Sequence, residues 1–338
     1  MKVCVVGNGS IGQRHLKGLA HNMTELGIES INAFDNSKDR REQVKQEIKN
    51  INVFEDLKSA VIGVDSIFIC VPTSLHITVI DEINKYGNFH YFIEKPLSHN
   101  LNGCDELIFS QKRAGKQAFV GYMLRFHPLI MRAKRIIESG KLGKILNVRT
   151  EAGFYLPYWH PWEDYRDFYM SWKIGGGGAL LDISHEIDYL QFLFGKIHNV
   201  TGFVGTVSDL DISSDDLTSS ILRFENSIIA ELHLDLLQFD EARGSKIIGT
   251  EGVLKFNLMN NELAVFKKDE KEWKVENIKV NYDEDVYFEE YKAVINSFRE
   301  NKPIEKLATL QQSNHVMQVI EAIKLSSSLG SRISLPIH

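Results

Sequence analysis

Three glycines near the start of the chain have the spacing of a phosphate-binding turn. Gly7, Gly9 and Gly12 follow a continuous apolar run and precede a helical pattern. In such a turn the first glycine allows a tight bend, the second lets a pyrophosphate approach the backbone, and the third lets the helix pack on the sheet. Free N–H groups at the helix start then face the phosphates. The sequence therefore predicts a dinucleotide site, not a purely structural turn, with contacts at Gly7, Asn8, Gly9, Ser10, Ile11 and Gly12.

An acidic residue, Asp35, ends the second predicted strand, residues 29–35. In dinucleotide-binding sheets an acid about 20 residues beyond the glycine turn accepts hydrogen bonds from the adenosine ribose hydroxyls. Its negative charge would repel the 2′-phosphate of NADP. We therefore expect the cofactor to be NAD, with NADP less favoured.

Lys95 follows a predicted strand at 89–93 and comes just before Pro96. Ligands bind doubly wound sheets at the carboxyl ends of their strands, and proline holds the preceding residue extended. An ammonium at that place can polarise a substrate hydroxyl or carbonyl oxygen. The alternative is an ordinary surface lysine after a strand, and we favour the catalytic role.

A histidine, His185, lies near the start of a predicted helix at 179–194, three residues after Asp182. Histidine is suited to remove a hydroxyl proton near neutral pH. The spacing would place Asp182 beside His185 on one helix face if the helix has begun by then. Two readings stay open for Asp182, a catalytic partner or the helix N-cap, and His185 could instead be a buried structural histidine.

Tyr122 and Arg125 follow the last predicted strand of the sheet, where a substrate would enter. They are candidate substrate contacts, and packing between domains is the alternative. The loop at 154–172 is rich in aromatic residues, among them Trp159 and Trp172. Aromatic rings stack on the C–H faces of sugars, but they also form good dimer interfaces. Both interpretations remain open.

No metal site is predicted, because no set of candidate ligands has a recognisable spacing. The histidine and acids of the aromatic loop, His160, Glu163 and Asp164, do not form one.

The elements that must position these residues fall into two groups. Residues 1–122 alternate apolar runs with helical patterns, among them helices at 75–86 and 98–114, and predict a doubly wound Rossmann domain with six strands. Residues 123–338 predict an α+β domain with a large, open, mainly antiparallel sheet at 144–281. Two helices, near 285–299 and 310–329, end the chain, and the last could pack back on the first domain. Ser74 is expected to cap the helix at 75–86.

The composition narrows the classes of partner. The chain has 338 residues and a net charge of −6, so neither nucleic acid nor an anionic membrane is an expected partner. Cys4, Cys70 and Cys104 are widely spaced and read as buried apolar residues in a reducing compartment. With no signal peptide or membrane span visible, we expect a cytoplasmic protein. The open sheet face predicts a homodimer or homotetramer.

The chain resembles the glucose–fructose oxidoreductase and inositol 2-dehydrogenase family, abbreviated Gfo/Idh/MocA. The motifs that carry the resemblance are Gly7–Gly12, residues 71–76, Glu94-Lys95-Pro96, Tyr122 with Arg125, and residues 176–188. It implies NAD(P)-dependent oxidation or reduction of a sugar or cyclitol, with a catalytic lysine matching Lys95 and a histidine matching His185. Further cofactor contacts are implied at Val71, Pro72, Thr73, His76, Glu94 and Lys95.

One position departs from the family pattern. Many members have an aspartate four residues before the histidine, where this chain has Leu181. The substrate classes implied are nucleotide-linked amino sugars, nonulosonic acids and inositols, some of them used in bacterial surface sugars. A non-catalytic dinucleotide-binding regulator of the same fold is the alternative function, and the presence of both Lys95 and His185 favours an enzyme.

Overall fold

The computed structural model describes residues 1–159 and 161–337, and the chain divides into two compact units. The first unit comprises Met1–Met123 and Tyr282–Asn314, and the second comprises Leu124–Asn281 and residues 315–338. The first unit is therefore discontinuous in sequence.

The regular elements are numbered in chain order. The helices are α1 Ser10–His21, α2 Met23–Leu26, α3 Lys38–Glu47, α4 Leu57–Val61, α5 His76–Ile83, α6 Cys104–Ala114, α7 Pro128–Glu138, α8 Leu156–Trp159, α9 Ala179–Asp182, α10 His185–Phe194, α11 Glu289–Glu300 and α12 Leu310–Leu329. The strands are β1 Lys2–Val6, β2 Ser30–Phe34, β3 Asn52–Phe54, β4 Ser66–Ile69, β5 His90–Ile93, β6 Ala118–Val120, β7 Ile145–Gly153, β8 Ile197–Gly205, β9 Leu217–Phe224, β10 Ile229–Asp235, β11 Ala242–Gly249, β12 Gly252–Asn257, β13 Glu262–Lys267, β14 Lys274–Asn277, β15 Ala308–Thr309 and β16 Ile333–Ser334.

The sheet of the first unit has the strand order β15-β6-β5-β4-β1-β2-β3. Strands β1 to β6 are parallel, and β15 joins the β6 edge antiparallel. Val3, Cys4 and Val5 of the central strand are fully buried, as expected where helices cover both faces of a parallel sheet. The predicted doubly wound domain with six parallel strands is confirmed, and β15 is an addition that the sequence did not indicate.

Two helix starts in the first unit differ from the prediction. The helix expected at 98–114 begins at Cys104, directly after Gly103, whose φ of +77° lies in the left-handed region. A Cβ on Gly103 would lie 2.6 Å from a methyl carbon of Ile77. Ser74 does not cap α5, because the chain forms a 3₁₀ turn over Thr73–Leu75 before it.

Residues 282–314, which come between the two parts of the second unit in the sequence, pack on the sheet of the first unit. The helix expected at 285–299 consists of a π-helical stretch, Tyr282–Phe288, followed by α11. Phe298 of α11 stacks on His90 of β5 and Phe119 of β6, with ring centroids 5.0 and 5.8 Å apart. These contacts explain why the two chain segments form one compact unit.

The second unit contains a nine-stranded sheet in the order β14-β13-β12-β11-β7-β10-β9-β8-β16. All its pairs are antiparallel except β7 with β10, so the predicted mainly antiparallel sheet is confirmed. Buried and exposed residues alternate along β9, which shows that one face is covered and the other open.

The helix predicted at 179–194 is broken. Its first part is α9, and α10 begins again at His185 after Ile183 and Ser184. Asp182 and His185 therefore do not share one continuous helix, and the predicted common helix face is wrong.

Within the described residues, no helix is both long enough and apolar enough to span a bilayer. The three cysteines are buried and free, as predicted.

Candidate active site

The glycine turn of the first unit has the backbone geometry that its spacing predicts. Gly7 has a φ of +97°, which a residue with a side chain rarely adopts. A Cβ on Gly12 would lie 1.8 Å from the carbonyl oxygen of Gly7, so α1 can start this close to β1 only with glycine there. Both positions are thus fixed by sterics.

The space around the turn fits a phosphate-bearing ligand. Among the described residues, a Cβ on Gly9 would meet only Arg40 Nη1, at 3.8 Å, so the backbone here is open to approach. The Asn8 side chain is fully buried, and neither polar atom of its amide has a hydrogen-bond partner in the described part of the chain. Buried polar groups are normally satisfied, so this amide is available to a bound molecule.

Asp35, the predicted ribose ligand, stabilises the turn. Its Oδ2 accepts the backbone N–H of Asn8 at 2.6 Å, and its Oδ1 accepts that of Ser37 at 2.8 Å. Arg40 Nη1 lies 3.7 Å from Oδ2. A carboxylate has about four lone-pair sites, so Asp35 can hold the turn and still accept ribose hydroxyls.

His76 connects the chain after β4 to the chain after β5. Its Nε2 lies 3.0 Å from the carbonyl oxygen of Val71, and its Nδ1 lies 3.1 Å from that of Pro96. The ring is buried, and burial lowers its pKa. His76 therefore braces the backbone around Lys95 from within the protein.

Lys95 lies two residues after the end of β5, close to the predicted place, and is partly buried. Its backbone N–H donates to Oε2 of Glu94 at 3.2 Å. Tyr122, a predicted substrate contact in the same unit, is 1% exposed and lies two residues after β6.

In the second unit, His185 is the first residue of α10 and is almost fully buried. Asp182 ends α9, and Oδ1 of its carboxylate accepts the hydroxyl of Tyr169 from the aromatic loop. The N-cap position of α10 belongs to Ser184, so the N-cap interpretation of Asp182 is wrong. A catalytic role for Asp182 stays a prediction.

Asp215, which no sequence motif singled out, holds α9 in place. Its carboxylate accepts the N–H of Leu180 at 2.8 Å, and its backbone carbonyl accepts that of Ala179 at 2.9 Å. Burial raises the pKa of Asp215. When an acid from a distant segment accepts the N–H groups at the start of a helix, the sequence contains no characteristic spacing that would indicate it.

Two ion pairs hold the first turn of α10. The guanidinium of Arg125 donates from Nε and Nη2 to both oxygens of Asp188, at 2.8 and 2.7 Å. Arg243 of β11 donates to both oxygens of Glu186, at 2.7 and 3.2 Å. Arg125 is fully buried. It was predicted to contact substrate, and its geometry instead supports a role in fixing the helix that carries His185.

The aromatic loop contains several internal contacts. Trp159 packs on Phe154 with ring centroids 4.8 Å apart, and the indole of the half-exposed Trp172 donates to the carbonyl of Arg166 at 2.8 Å. His160 lies outside the described residues. Among the residues that are described, no group of three or more possible ligands could hold a metal ion.

The predicted site residues are thus distributed over both units. The first unit brings the glycine turn together with Asp35, and residues 71–76 together with the chain that follows Lys95. The second unit holds Arg125, Trp159, Trp172, Asp182 and His185. The assignments of catalytic and substrate-binding roles remain predictions.

The doubly wound sheet and its open glycine turn define a dinucleotide-binding protein. Residues 1–122 match the family model described as "Oxidoreductase family, NAD-binding Rossmann fold", and residues 130–255 match "GFO/IDH/MocA C-terminal domain". The chain belongs to the GFO/IDH/MocA family, and the predicted NAD-binding Rossmann domain is confirmed.

Characterised relatives act on different compounds. The chain is 26% identical to scyllo-inositol 2-dehydrogenase (NAD(+)) of Bacillus subtilis (strain 168) over 78% of this chain and 75% of that protein. It is 27% identical to 2,7-anhydro-N-acetylneuraminate hydratase of Escherichia coli (strain K12) over 52% of this chain and 48% of that protein. The chain spans between about half and two thirds of the length of the first curated relatives that it matches.

The fold is also found in a solved structure of levoglucosan dehydrogenase in complex with NADH and levoglucosan. That structure superposes with a TM-score of 0.89 at 19% identity and covers 100% of both chains. At this identity the likeness establishes the fold.

Proposed function

We propose that the chain is an NAD-dependent oxidoreductase that transfers a hydride between the nicotinamide and a carbinol carbon of a sugar or cyclitol. The observation that carries this proposal is the glycine turn, where an open backbone at Gly9 and an unsatisfied buried amide at Asn8 lie beside Asp35. The family supports an oxidoreductase.

The chain's own residues divide the binding of the cofactor between them. The turn at Gly7–Gly12 holds the pyrophosphate against the start of α1. Asp35 accepts the adenosine ribose hydroxyls, and its charge disfavours a 2′-phosphate. Residues 71–73, held by His76, line the same carboxyl edge of the sheet.

Lys95 and His185 act on the same substrate hydroxyl. Lys95 holds and polarises the oxygen, a role that needs a permanent charge. His185 removes the proton, because an unperturbed imidazole titrates near pH 6.5 whereas an unperturbed lysine titrates about 4 units higher. Bound NAD would supply the acceptor for the hydride of the substrate carbon. Asp182 lies next to the start of α10 and would stabilise the imidazolium that forms.

The substrate class follows from the relatives and from the aromatic loop. The relatives' names include a cyclitol dehydrogenase, a nonulosonic acid hydratase and a UDP-N-acetylglucosamine 3-dehydrogenase. Trp159 and Trp172 supply rings that can stack on the C–H face of a sugar or cyclitol.

The test is a substrate screen that follows the absorbance of reduced nicotinamide. Cyclitols, anhydro sugars, uronic acids, nucleotide-linked amino sugars and nonulosonic acids are offered with NAD and, in parallel, with NADP. We expect turnover with one of these classes and NAD. Tight binding of NAD without turnover of any class would favour the regulatory alternative, and failure to bind either dinucleotide would overturn the proposal.

We also propose that the open face of the nine-stranded sheet joins copies of this chain. The face carries the exposed apolar residues Phe203, Ile221 and Ile229 beside an exposed ion pair of Arg149 with Glu231. A broad, partly apolar sheet face is unusual on a monomer. The arrangement supports a homodimer or homotetramer.

A further inference from the structure

Three side chains from distant parts of the sequence form a buried hydrogen-bonded chain in the first unit. His15 of α1 lies with Nε2 2.6 Å from Oε1 of Glu94 and with Nδ1 3.1 Å from the hydroxyl of Tyr291 in α11. His15 is fully buried and Tyr291 is 2% exposed. An ionised carboxylate can only accept hydrogen bonds, so Nε2 of His15 is the donor and Oε1 of Glu94 is the acceptor.

Aromatic packing fixes the central imidazole. The ring of His15 makes edge contacts with Phe68, Phe92, Tyr287 and Tyr291, at centroid distances between 5.4 and 6.3 Å. Enclosure by these rings restricts the movement of the imidazole. His15 and Tyr291 therefore help to hold the Glu94 carboxylate in position.

Tyr291 reaches His15 only because α1 has a glycine at the contact. A Cβ on Gly18 would lie 2.5 Å from the ring of Tyr291. Gly18 of α1 thus leaves the space that the ring of Tyr291 occupies.

The charge of the cluster is concentrated on Glu94. Burial and the nearby charge of Glu94 raise the pKa of Glu290 well above its ordinary value, which favours the uncharged form of Glu290. Both oxygens of Glu94 accept N–H groups, from His15 and from the backbone of Lys95, which is how a carboxylate is satisfied. Its side chain is 12% exposed, so a small part of it is accessible to solvent.

The place of Glu94 in the sheet relates this charge to the cofactor. Asp35 directly follows β2, in the half of a doubly wound sheet that binds the adenosine part of a dinucleotide. Glu94 follows β5, in the other half, built of β4, β5 and β6, where a doubly wound sheet binds the second mononucleotide. An oxidised nicotinamide ring has a positive charge that the reduced ring lacks.

We propose that the Tyr291–His15–Glu94 chain holds a fixed negative charge toward the nicotinamide half of the site and thereby favours binding of the oxidised over the reduced dinucleotide. The proposal rests on the proposed function, since it requires NAD at the glycine turn. Glu94 is the group that acts on the cofactor, and His15 and Tyr291 are positioning residues. The arrangement favours a protein that loads NAD and releases NADH, as oxidation of an alcohol requires.

The test compares the dissociation constants of NAD and NADH, measured separately by calorimetry on the full-length protein. Glu94→Gln removes the charge and keeps an oxygen that can accept from His15. We expect it to weaken NAD binding on the order of tenfold relative to NADH, the size expected for one unit charge acting over about 12 Å at an effective dielectric constant near 20.

Tyr291→Phe keeps the charge and removes only the hydroxyl that orients His15. It should shift the ratio of the two constants in the same direction by a few-fold, while Tyr91→Phe is the matched control. Tyr91 is another buried tyrosine of the same unit, whose hydroxyl donates to Asn84 at 2.9 Å, and its loss should leave the ratio unchanged.

The outcomes separate the two proposals. Wild-type protein that binds neither dinucleotide overturns the proposed function itself. If both dinucleotides bind and Glu94→Gln weakens them equally, the charge does not discriminate and the inference is wrong. Should Glu94→Gln fail to fold, an unchanged ratio in Tyr291→Phe would overturn the inference by itself.

Discussion

At the scale of single residues, Asp35 has two functions that one carboxylate can combine. It holds the glycine turn through the N–H of Asn8 and, in our proposal, binds the ribose. Arg40 lies beside it, and a guanidinium is a good partner for a phosphate. The preference for NAD over NADP therefore depends on the acid that faces this arginine.

Asp35→Ala should weaken NAD binding and narrow the gap between NAD and NADP. The substitution removes both the ribose acceptor and the repulsion of the 2′-phosphate, and it leaves Arg40 without its acidic neighbour. Titration with each dinucleotide measures the effect, and the exposed Asp39→Ala serves as control. Wild-type protein that binds NADP as well as NAD would contradict this role.

His185→Ala should lower turnover by roughly 10²–10⁴-fold, the usual contribution of a positioned general base, with NAD affinity nearly unchanged. Lys95→Ala should cost at least as much, because both orientation and electrostatic stabilisation are lost. Steady-state kinetics on the substrate found in the screen provide the measurement. His198→Ala is the control, since His198 lies exposed on β8. Near wild-type turnover of His185→Ala would move the proton step to another residue.

Asp182→Asn tests the partner of that histidine. The amide oxygen can still accept from Tyr169, so the local structure should persist while the charge is lost. A lower turnover with unchanged stability would support a catalytic partner, and unchanged turnover would leave Asp182 with a structural role alone.

At the scale of elements, the sequence predicted the strands better than the helix ends. The central strands are continuous apolar runs such as Val3–Val6, and burial on both faces requires that pattern. Helix ends depend on backbone conformation and on distant partners. The left-handed conformation of Gly103 makes α6 begin later than predicted. The start of α9 is held by a hydrogen bond to Asp215, which lies in a distant segment of the chain.

In the candidate site, too, the features that depend on local sequence could be predicted and those that depend on distant partners could not. The glycine turn and Asp35 could be predicted because their spacing is local and sterically required. The burial of Arg125 against Asp188 could not be predicted. The same sequence is compatible with an arginine that is exposed to substrate and with one that forms a buried ion pair. The two-residue strand β15 was missed because so short a segment has no periodicity.

Glu290 of α11 should make stability fall as the pH rises. Its pKa is raised in the folded protein and returns to its ordinary value on unfolding, so the folded state holds an extra proton between the two values. The stabilising contribution is complete below the unfolded pKa, near 4.3, and is lost as the pH rises through the folded one, with a limiting slope of roughly 1.4 kcal/mol per pH unit.

Glu290→Gln should therefore flatten the dependence of the urea midpoint on pH and stabilise the protein at the alkaline end. The neighbouring Glu289→Gln is the control, because its side chain is 48% exposed. Equal slopes for wild type and Glu290→Gln would show that this carboxyl does not titrate as described.

At the scale of the whole molecule, our proposal that the open face of the nine-stranded sheet joins copies of the chain can be tested directly. Light scattering should give a mass of two or four times the 38.6 kDa of one chain. Ile221→Lys places a charge on the exposed face and should shift the protein toward the monomer, whereas Phe109→Lys, on the exposed side of α6, should not. A wild-type mass of one chain at micromolar concentration would refute the interface.

The discontinuous first unit affects how the protein folds during synthesis. Translation proceeds at roughly 5–20 residues per second, so residues 1–123 leave the ribosome well before α11 and β15, which follow residues 124–281 of the second unit. Until then the edge of β6 is not paired with β15, and Phe119 is not packed against Phe298 of α11. Unpaired strand edges promote aggregation. Nascent chains should therefore depend on chaperones through this interval. In stalled ribosome complexes, residues 1–123 should gain full protease resistance only after β15 has emerged.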